Sequence, residues 1–189
     1  RRFRDESPTC LFRIFNYPAH PQDPQSEAWG VGPHTDMGLL TLLFQDTSGG
    51  LELQRRDGSW IEAPADPTRC LVNIGDMLER WTWGRLRATL HRVQSPQQGP
   101  RLSFPFFYDP PWEATLEAID PARLPSPAHA PPPAALKKRE NLADRWDGLR
   151  LHEIDPQQTY GEFVWAKIRH VFPTLAERAA DGQPINCDT

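Results

Sequence analysis

Two side chains of the metal-binding type, His34 and Asp36, stand two positions apart in the segment GPHTDMG at residues 32–38. On an extended segment, side chains two positions apart leave from the same face, so both can reach one metal ion. His91, in the β-rich segment at residues 89–93, is the candidate third ligand from a neighbouring strand. Two imidazoles and one carboxylate on one side of a metal ion, with the other side open, are typical of non-heme Fe(II) sites.

The pair alone is weak evidence for a metal site, because short motifs of this kind occur by chance. Asp36 could instead accept a hydrogen bond from a backbone N–H in a turn, with His34 solvated. His91 could be a core histidine that is hydrogen-bonded to a backbone carbonyl. The flanking sequence has to decide between these interpretations.

A candidate anion site lies ten residues beyond His91, where Arg101 and Ser103 again share one face of a predicted strand. A guanidinium beside a hydroxyl suits a small carboxylate, which it can bind through two charge-assisted hydrogen bonds. Three other arginines nearby could be surface charges: Arg85, Arg87 and Arg92. The sequence therefore predicts a metal site and an anion site close together.

With these residues in place, the chain resembles the C-terminal half of the Fe(II)/2-oxoglutarate-dependent dioxygenases of the isopenicillin N synthase-like family. The resemblance covers residues 11–110 and rests on six segments in the order and at the spacing of the family: NYP (16–18), GPHTD (32–36), GLELQ (50–54), VNIGD (72–76), LHRV (90–93) and RLS (101–103). One departure is Trp83, which stands before Gly84 where the family usually has Asn.

The resemblance implies a role for each candidate residue. Fe(II) would be bound by His34, Asp36 and His91. The co-substrate 2-oxoglutarate would bind the metal through its 1-carboxylate and keto oxygen, with its 5-carboxylate bound by Arg101 and Ser103. Dioxygen would bind the last open position, and the products would be succinate, CO₂ and an oxidised small-molecule substrate.

Three further residues are expected in the same cavity. By resemblance Tyr17 would contact the co-substrate; the alternative is a strand-end aromatic that is hydrogen-bonded to the backbone. Strand parity places Phe107 and Asp109 on the face of Arg101 and Ser103, where the resembling enzymes bind the primary substrate. The alternative is that Phe107 is a core residue and Asp109 begins a turn.

Two rival functions remain open. A same-fold non-heme iron oxidase would use no 2-oxoglutarate, and its Arg101 and Ser103 would bind a carboxylate of the substrate itself. A non-catalytic jelly-roll binding protein would contain a structural metal or none.

Charge and cysteine content limit the partners and the compartment. A formal net charge of −4 argues against nucleic acid as a partner. No apolar run approaches the ~20 residues that span a bilayer, so we expect no membrane insertion. Three cysteines without metal-binding spacing favour reduced thiols and a cytoplasmic protein. The chain opens at Arg1, and we expect that a helical N-terminal portion typical of the family is missing.

Short β-rich segments separated by Gly and Pro turns predict a mainly β protein of the sandwich or jelly-roll type. The resemblance implies the double-stranded β-helix version. Predicted strands cover residues 11–17, 39–44, 51–54, 60–63 and 70–74, with two more at His91 and Arg101. The apolar run 39–44 is expected to be covered on both faces. The segment 77–83 is ambiguous between a helical turn and a strand.

We expect one domain in three parts. Residues 1–110 would form the double-stranded β-helix catalytic core, and 111–158 a Pro-rich extended excursion that either covers the mouth of the site or is a plain solvated loop. Residues 159–189 would form a C-terminal packing helix and tail. A capping box at Thr159 and Glu162 opens this helix. Its packing stripe comprises Val164, Ile168, Val171 and Leu175, and Pro173 would end or kink it.

Overall fold

The computed structural model describes residues 7–19, 29–96, 98–124, 151 and 154–171. Within these ranges the chain forms nine strands, two α-helices and one 3-10 helix. The strands are β1 (Thr9–Phe12), β2 (Phe15–Tyr17), β3 (Trp29–His34), β4 (Leu40–Gln45), β5 (Leu51–Gln54), β6 (Trp60–Glu62), β7 (Leu71–Ile74), β8 (His91–Gln94) and β9 (Arg101–Asp109). The helices are α1 (Asp76–Trp81), the 3-10 helix (Pro121–Arg123) and α2 (Tyr160–Val171).

The strands form two antiparallel sheets. The first has the order β1-β9-β4-β7, with β2 also paired to β9. The second has the order β3-β8-β5-β6. Apart from the β5-β6 hairpin, the paired strands come from distant parts of the chain, as the wound strands of a jelly roll do. The predicted mainly β jelly roll with a C-terminal helix is confirmed.

The predicted strand 11–17 is in fact two strands, β1 and β2, which pair with different parts of β9. The interruption falls opposite Pro105, which has no N–H to donate into the ladder. There the N–H of Arg13 donates to the carbonyl of Pro105 at 3.0 Å. A proline on one strand therefore sets the boundary on another, which the sequence of the first strand does not show.

Two other expectations for the strands need correction or completion. The run 39–44 is not covered on both faces, because Phe44 in β4 is 46% exposed while its neighbour Gln45 is buried. The ambiguous segment 77–83 is helical, as α1. After this helix Trp83 adopts a left-handed conformation with φ of 55°, at the position where the resembling family has Asn. Asn tolerates this region more readily than Trp does.

The described core has two parts. Between the sheets lie Leu51, Ala63 and Val93, with partly buried side chains of both sheets packed against them. A larger cluster joins α1, α2, the segment after β9 and the residues Leu39 and Leu151. Its buried members are Leu39, Met77, Trp81, Leu116, Leu151, Tyr160, Phe163 and Val164. This second cluster attaches the C-terminal helix to α1 and to the beginning of β4.

In the described part of the predicted excursion, residues 111–124 have little regular structure and most are exposed, but Leu116 is fully buried. The backbone near Leu116 also contacts Arg80 of α1. The Arg80 guanidinium donates to the carbonyls of Leu116 and Ile154, both at 2.8 Å, and to that of Leu151. A Pro- and Ala-rich composition does not reveal that its carbonyls have a buried cation as partner. Residues 125–150 and 152–153 lie outside the described ranges.

The C-terminal helix begins as predicted. The N–H of Glu162 donates to Oγ1 of Thr159 at 3.2 Å, and the N–H of Thr159 donates to the Glu162 carboxylate at 2.8 Å, which completes the capping box. Val164 is buried and Ile168 packs against the core. The side chain of Val171, together with Pro173 and Leu175, lies outside the described residues. In the part of the chain that the structure describes, no helix has the length and apolar character needed to cross a membrane.

Candidate metal and co-substrate site

His34 and His91 meet because β3 and β8 are antiparallel neighbours in which these two residues lie directly opposite each other. Their ring centroids are 4.2 Å apart. The pairing contains register shifts between Trp29 and Val31 and between Val31 and His34. Such irregularities re-aim side chains and are frequent next to functional sites.

Asp36 reaches the two imidazoles from the turn that follows β3. Its Oδ1 lies 3.8 Å from Nε2 of His34 and 3.7 Å from Nε2 of His91. One ligand atom from each of the three residues lies within 4.8 Å of the others. The expected grouping is therefore present, although β3 ends at His34, so strand alternation is not what positions Asp36.

The turn containing Asp36 is bound to the beginning of α1. The backbone N–H of Asp76 donates to the carbonyl of Asp36 at 2.8 Å, and that of Met77 donates to Gly38 at 3.0 Å. The first N–H groups of a helix have no partner within the helix, so they are available for such contacts. The helix that the sequence left ambiguous is thus one support of the candidate metal site.

Backbone carbonyls select the tautomer of both histidines. Nδ1 of His34 lies 2.9 Å from the carbonyl oxygen of Gly32, and Nδ1 of His91 lies 3.0 Å from that of Thr89. A carbonyl oxygen only accepts, so each Nδ1 donates its hydrogen; in the neutral imidazole the lone pair is then on Nε2, on the side of Asp36. This is the arrangement that metal-binding histidines require.

The second oxygen of Asp36 is occupied by hydrogen bonds. Oδ2 accepts from Oγ1 of Thr41 at 2.5 Å and from Nδ2 of Asn73 at 2.6 Å. Oδ1 is the oxygen that faces the imidazoles. No role was predicted for Thr41 or Asn73 from the sequence. The available signal was a polar residue inside an otherwise apolar predicted strand.

The electrostatics of the site keep an imidazole neutral. Burial, followed by the adjacent His91 ring, lowers the pKa of His34 from its usual 6.5 to about 4. A neutral imidazole is the form that binds a metal. Two imidazole nitrogens and one carboxylate oxygen, converging from one side, fit Fe(II) in the facial arrangement.

A single cavity of about 490 Å³ contains every site residue predicted from the sequence. The predicted residues in its lining are Tyr17, His34, Asp36, His91, Arg101, Ser103, Phe107 and Asp109. A cavity of this size is typical of small-molecule sites. The structure therefore brings the metal group, the anion group and the substrate candidates to one space.

Arg101 is the most deeply buried cation of this cavity, with 1% of its surface exposed. Its Nε donates to the carbonyl of Gly49 at 2.7 Å, and its Nη2 donates to Oε1 of Gln45 at 2.8 Å. The Tyr17 ring lies against the guanidinium, 5.0 Å from its centre. Nη1 is buried and has no hydrogen-bond partner among the described residues. Ser103 is 2% exposed on the same strand.

A buried donor without a partner is costly, and a carboxylate supplied by a ligand would satisfy it. The Arg101 site therefore fits the anionic end of a co-substrate. Sequence reasoning missed Gln45 and Gly49, which orient the guanidinium; they lie before and after a turn far from Arg101 in the chain.

Asp109 and Tyr160 form a polar pair on the cavity wall. Burial raises the pKa of Asp109 to about 6, against a hydrogen bond from Tyr160 that lowers it. Burial, then the charge of Asp109, raises the pKa of the Tyr160 hydroxyl. Phe107 lines the same cavity. Tyr160 was not predicted as a site residue, because its helix was assigned a packing role only.

Comparison with known proteins agrees with this geometry. The family model described as 2OG-Fe(II) oxygenase superfamily matches residues 8–110. A probable iron/ascorbate oxidoreductase of Dictyostelium discoideum is 35% identical, over 90% of this chain and 47% of its own length. Gibberellin 2-beta-dioxygenase 1 of Pisum sativum is 30% identical, over 95% of this chain and 46% of its own length. The chain thus spans about half the length of these curated relatives.

Among solved structures, the dioxygenase for auxin oxidation 1 from Arabidopsis thaliana, in its binary complex with 2-oxoglutarate, is similar in fold. It superimposes with a TM-score of 0.52 at 31% identity, covering 65% of this chain and 45% of that protein. The dioxygenase for auxin oxidation in rice superimposes with a TM-score of 0.55 at 29% identity, covering 76% of this chain and 49% of that protein.

Proposed function

We propose, from the premise that this chain belongs to the 2OG-Fe(II) oxygenase superfamily, that it is the catalytic half of an Fe(II)- and 2-oxoglutarate-dependent dioxygenase. The reaction would consume 2-oxoglutarate, O₂ and a small organic substrate, and would produce succinate, CO₂ and the oxidised substrate. One observation above all supports this proposal. The His34, Asp36 and His91 group and the buried Arg101 guanidinium open on the same cavity.

The three metal-binding residues would hold Fe(II) by one carboxylate oxygen and two neutral imidazoles. When bound, the iron would supply the redox chemistry that couples decarboxylation of 2-oxoglutarate to oxidation of a substrate C–H bond. The part of the protein is to orient these ligands. Gly32 and Thr89 hold the imidazole tautomers, and the remaining side of the site faces the cavity.

The anion site would bind the far carboxylate of 2-oxoglutarate. Nη1 of Arg101 is the donor that lacks a partner among the described residues, and the Ser103 hydroxyl on the same strand face would donate a second hydrogen bond. The Tyr17 ring, which contacts the guanidinium, would help to hold it in position. In an enclosed site such charge-assisted hydrogen bonds are stronger than in water.

The primary substrate would bind on the side of Phe107 and Asp109. Phe107 offers an apolar surface and Asp109, hydrogen-bonded to Tyr160, offers a polar group at its edge. This part of the cavity would determine which C–H bond lies near the metal.

The test is to measure CO₂ released from carboxyl-labelled 2-oxoglutarate and to measure succinate, with and without Fe(II). We expect both products to require added Fe(II) and an intact Asp36, and Asp36→Ala to abolish them. Because the substrate is unidentified, slow uncoupled decarboxylation and anaerobic 2-oxoglutarate binding to the Fe(II) protein are the first readouts.

The rival functions give different results in these measurements. Oxygen consumption that does not depend on 2-oxoglutarate would favour an oxidase. A tightly held Zn²⁺ with neither binding nor turnover of 2-oxoglutarate would favour a non-catalytic binding protein.

A further inference from the structure

Lys167 of α2 is buried beside the segment that holds two of the candidate metal ligands. It is 4% exposed, and its Nζ lies 2.5 Å from Oδ2 of Asp76, which is fully buried. The same ammonium lies 3.3 Å from the carbonyl oxygen of Thr35 and 3.4 Å from its hydroxyl. Thr35 is the residue between His34 and Asp36, so one cation joins the C-terminal helix, α1 and the metal-binding segment.

Asp76 is a second connection to the same segment. Its carboxylate pairs with Lys167, and its backbone N–H donates to the carbonyl of Asp36 at 2.8 Å. The backbone on both sides of the Thr35–Asp36 peptide is thereby held by polar contacts. Loss of the ammonium would remove its two contacts with Thr35 and the positive charge that pairs with the buried Asp76 carboxylate.

A buried ion pair is weak evidence for a stabilising role. Removing two charges from water is costly, and well-packed apolar residues of similar volume are often as stabilising or more so. The other role open to such a pair is to fix the geometry of the segments that it joins. Groups that orient metal ligands from outside the coordination sphere affect metal affinity strongly, typically by 10- to 100-fold.

We propose that Lys167 is a positioning residue of the metal centre, which fixes the His34–Asp36 segment through Thr35 and Asp76 and thereby sets the affinity for a divalent metal. The inference rests on the metal-binding part of the proposed function and does not depend on 2-oxoglutarate chemistry. It makes the docking of α2 a condition for tight metal binding.

Co(II) is a suitable probe, because its visible absorption reports both binding and ligand geometry. Titrations of the full chain would compare the wild type with Lys167→Met and with Lys167→Met/Asp76→Asn, which removes both charges and leaves side chains of similar size. Arg169→Met is the matched control, because Arg169 is an exposed cation on the same helix that contacts the Trp165 ring. Thermal unfolding of each metal-free protein would be measured in parallel.

We expect both Lys167 variants to bind Co(II) about 10- to 100-fold more weakly and with an altered spectrum. The double variant should unfold near the wild-type temperature and the control should bind normally. A folded double variant with wild-type affinity and spectrum would overturn the proposal. A double variant that does not fold would also overturn it, by assigning the pair to folding.

Failure of the proposed function has a different signature. A wild type that binds no Co(II), or binds it equally well after His91→Ala, would refute the metal site itself and this inference with it. Normal wild-type binding together with unaffected Lys167 variants would refute this inference alone.

Discussion

The side-chain amide of Asn73 donates a hydrogen bond of 2.6 Å to Oδ2 of Asp36, across 37 residues of chain. The contact joins β7 to the turn after β3 and, with Thr41, leaves Oδ1 as the oxygen that faces His34 and His91. A carboxylate held in this way has lost its rotational freedom before a metal arrives.

Replacing Asn73 by Ala is therefore expected to weaken metal binding by about 10- to 100-fold, because an oriented ligand becomes free to rotate. Calorimetric titration with Mn(II) would measure the change. Asn16→Ala, an exposed Asn in β2, is the control and should bind normally. Unchanged affinity in Asn73→Ala would show that the carboxylate needs no such support.

Arg101→Lys should raise the KM for 2-oxoglutarate by roughly 10- to 100-fold. The substitution replaces a planar guanidinium, which Gly49 and Gln45 orient, by an ammonium that cannot bind a carboxylate through two parallel hydrogen bonds. Mn(II) affinity should stay unchanged, because Arg101 is not a proposed metal ligand. Steady-state kinetics with varied 2-oxoglutarate would test this, with the exposed Arg69→Lys as control. A normal KM would indicate that the co-substrate binds elsewhere in the cavity.

Arg92 is expected to stabilise the four-stranded sheet. Its guanidinium lies 4.2 Å from the ring centre of Trp29 and 4.1 Å from that of Trp60, and its Nε donates to Glu52 at 2.6 Å. Arg92→Ala should lower the free energy of unfolding by about 1–3 kcal/mol through two lost cation–π contacts and an ion pair. Urea denaturation would measure it.

Arg56→Ala, at an exposed position between β5 and β6, is the matched control for that experiment and should change stability little. Equal free energies of unfolding for Arg92→Ala and the wild type would mean that the contacts between Arg92 and the two tryptophan rings do not stabilise the protein.

Asp109→Asn is expected to stabilise the protein at neutral pH. The folded-state pKa of Asp109 is about 6, against an unfolded value of 3.8. Between these two pH values the folded protein keeps a proton on Asp109 that the unfolded chain has lost. Stability is therefore lost as pH rises from about 4 through 6, and the variant avoids this loss. We expect a gain on the order of 1–2 kcal/mol at pH 7 that nearly disappears at pH 4.

His34 has the opposite effect on the pH dependence of stability. Because His34 is present in both proteins, its effect cancels when Asp109→Asn is compared with the wild type at the same pH. The folded-state pKa of His34 is lowered to about 4, so its contribution to stability is lost as pH falls below 6.5. Urea melts at several pH values would measure the difference between the two proteins. A pH-independent difference would show that Asp109 titrates normally in the folded state.

Much of the candidate site could be predicted from the sequence, because its motifs consist of residues only a few positions apart. The spacing of His34 and Asp36, and of Arg101 and Ser103, was visible without coordinates, and alternation on β9 placed Phe107 and Asp109 in the same cavity. Turn and capping signals were equally local. The N-cap at Thr159 formed as expected.

What the sequence alone determined, then, was which residues can do chemistry and where most of the strands lie, since both depend on residue type and spacing within a few positions. Tertiary structure alone decided that Asn73 holds Asp36 and that Lys167 reaches Thr35, while strand pairing placed the predicted ligand His91 opposite His34. These contacts depend on strand order and helix docking, which minimise buried unpaired charge and apolar exposure over the whole chain. A pattern within a few positions of the sequence does not show which strand order and helix docking give the lowest free energy.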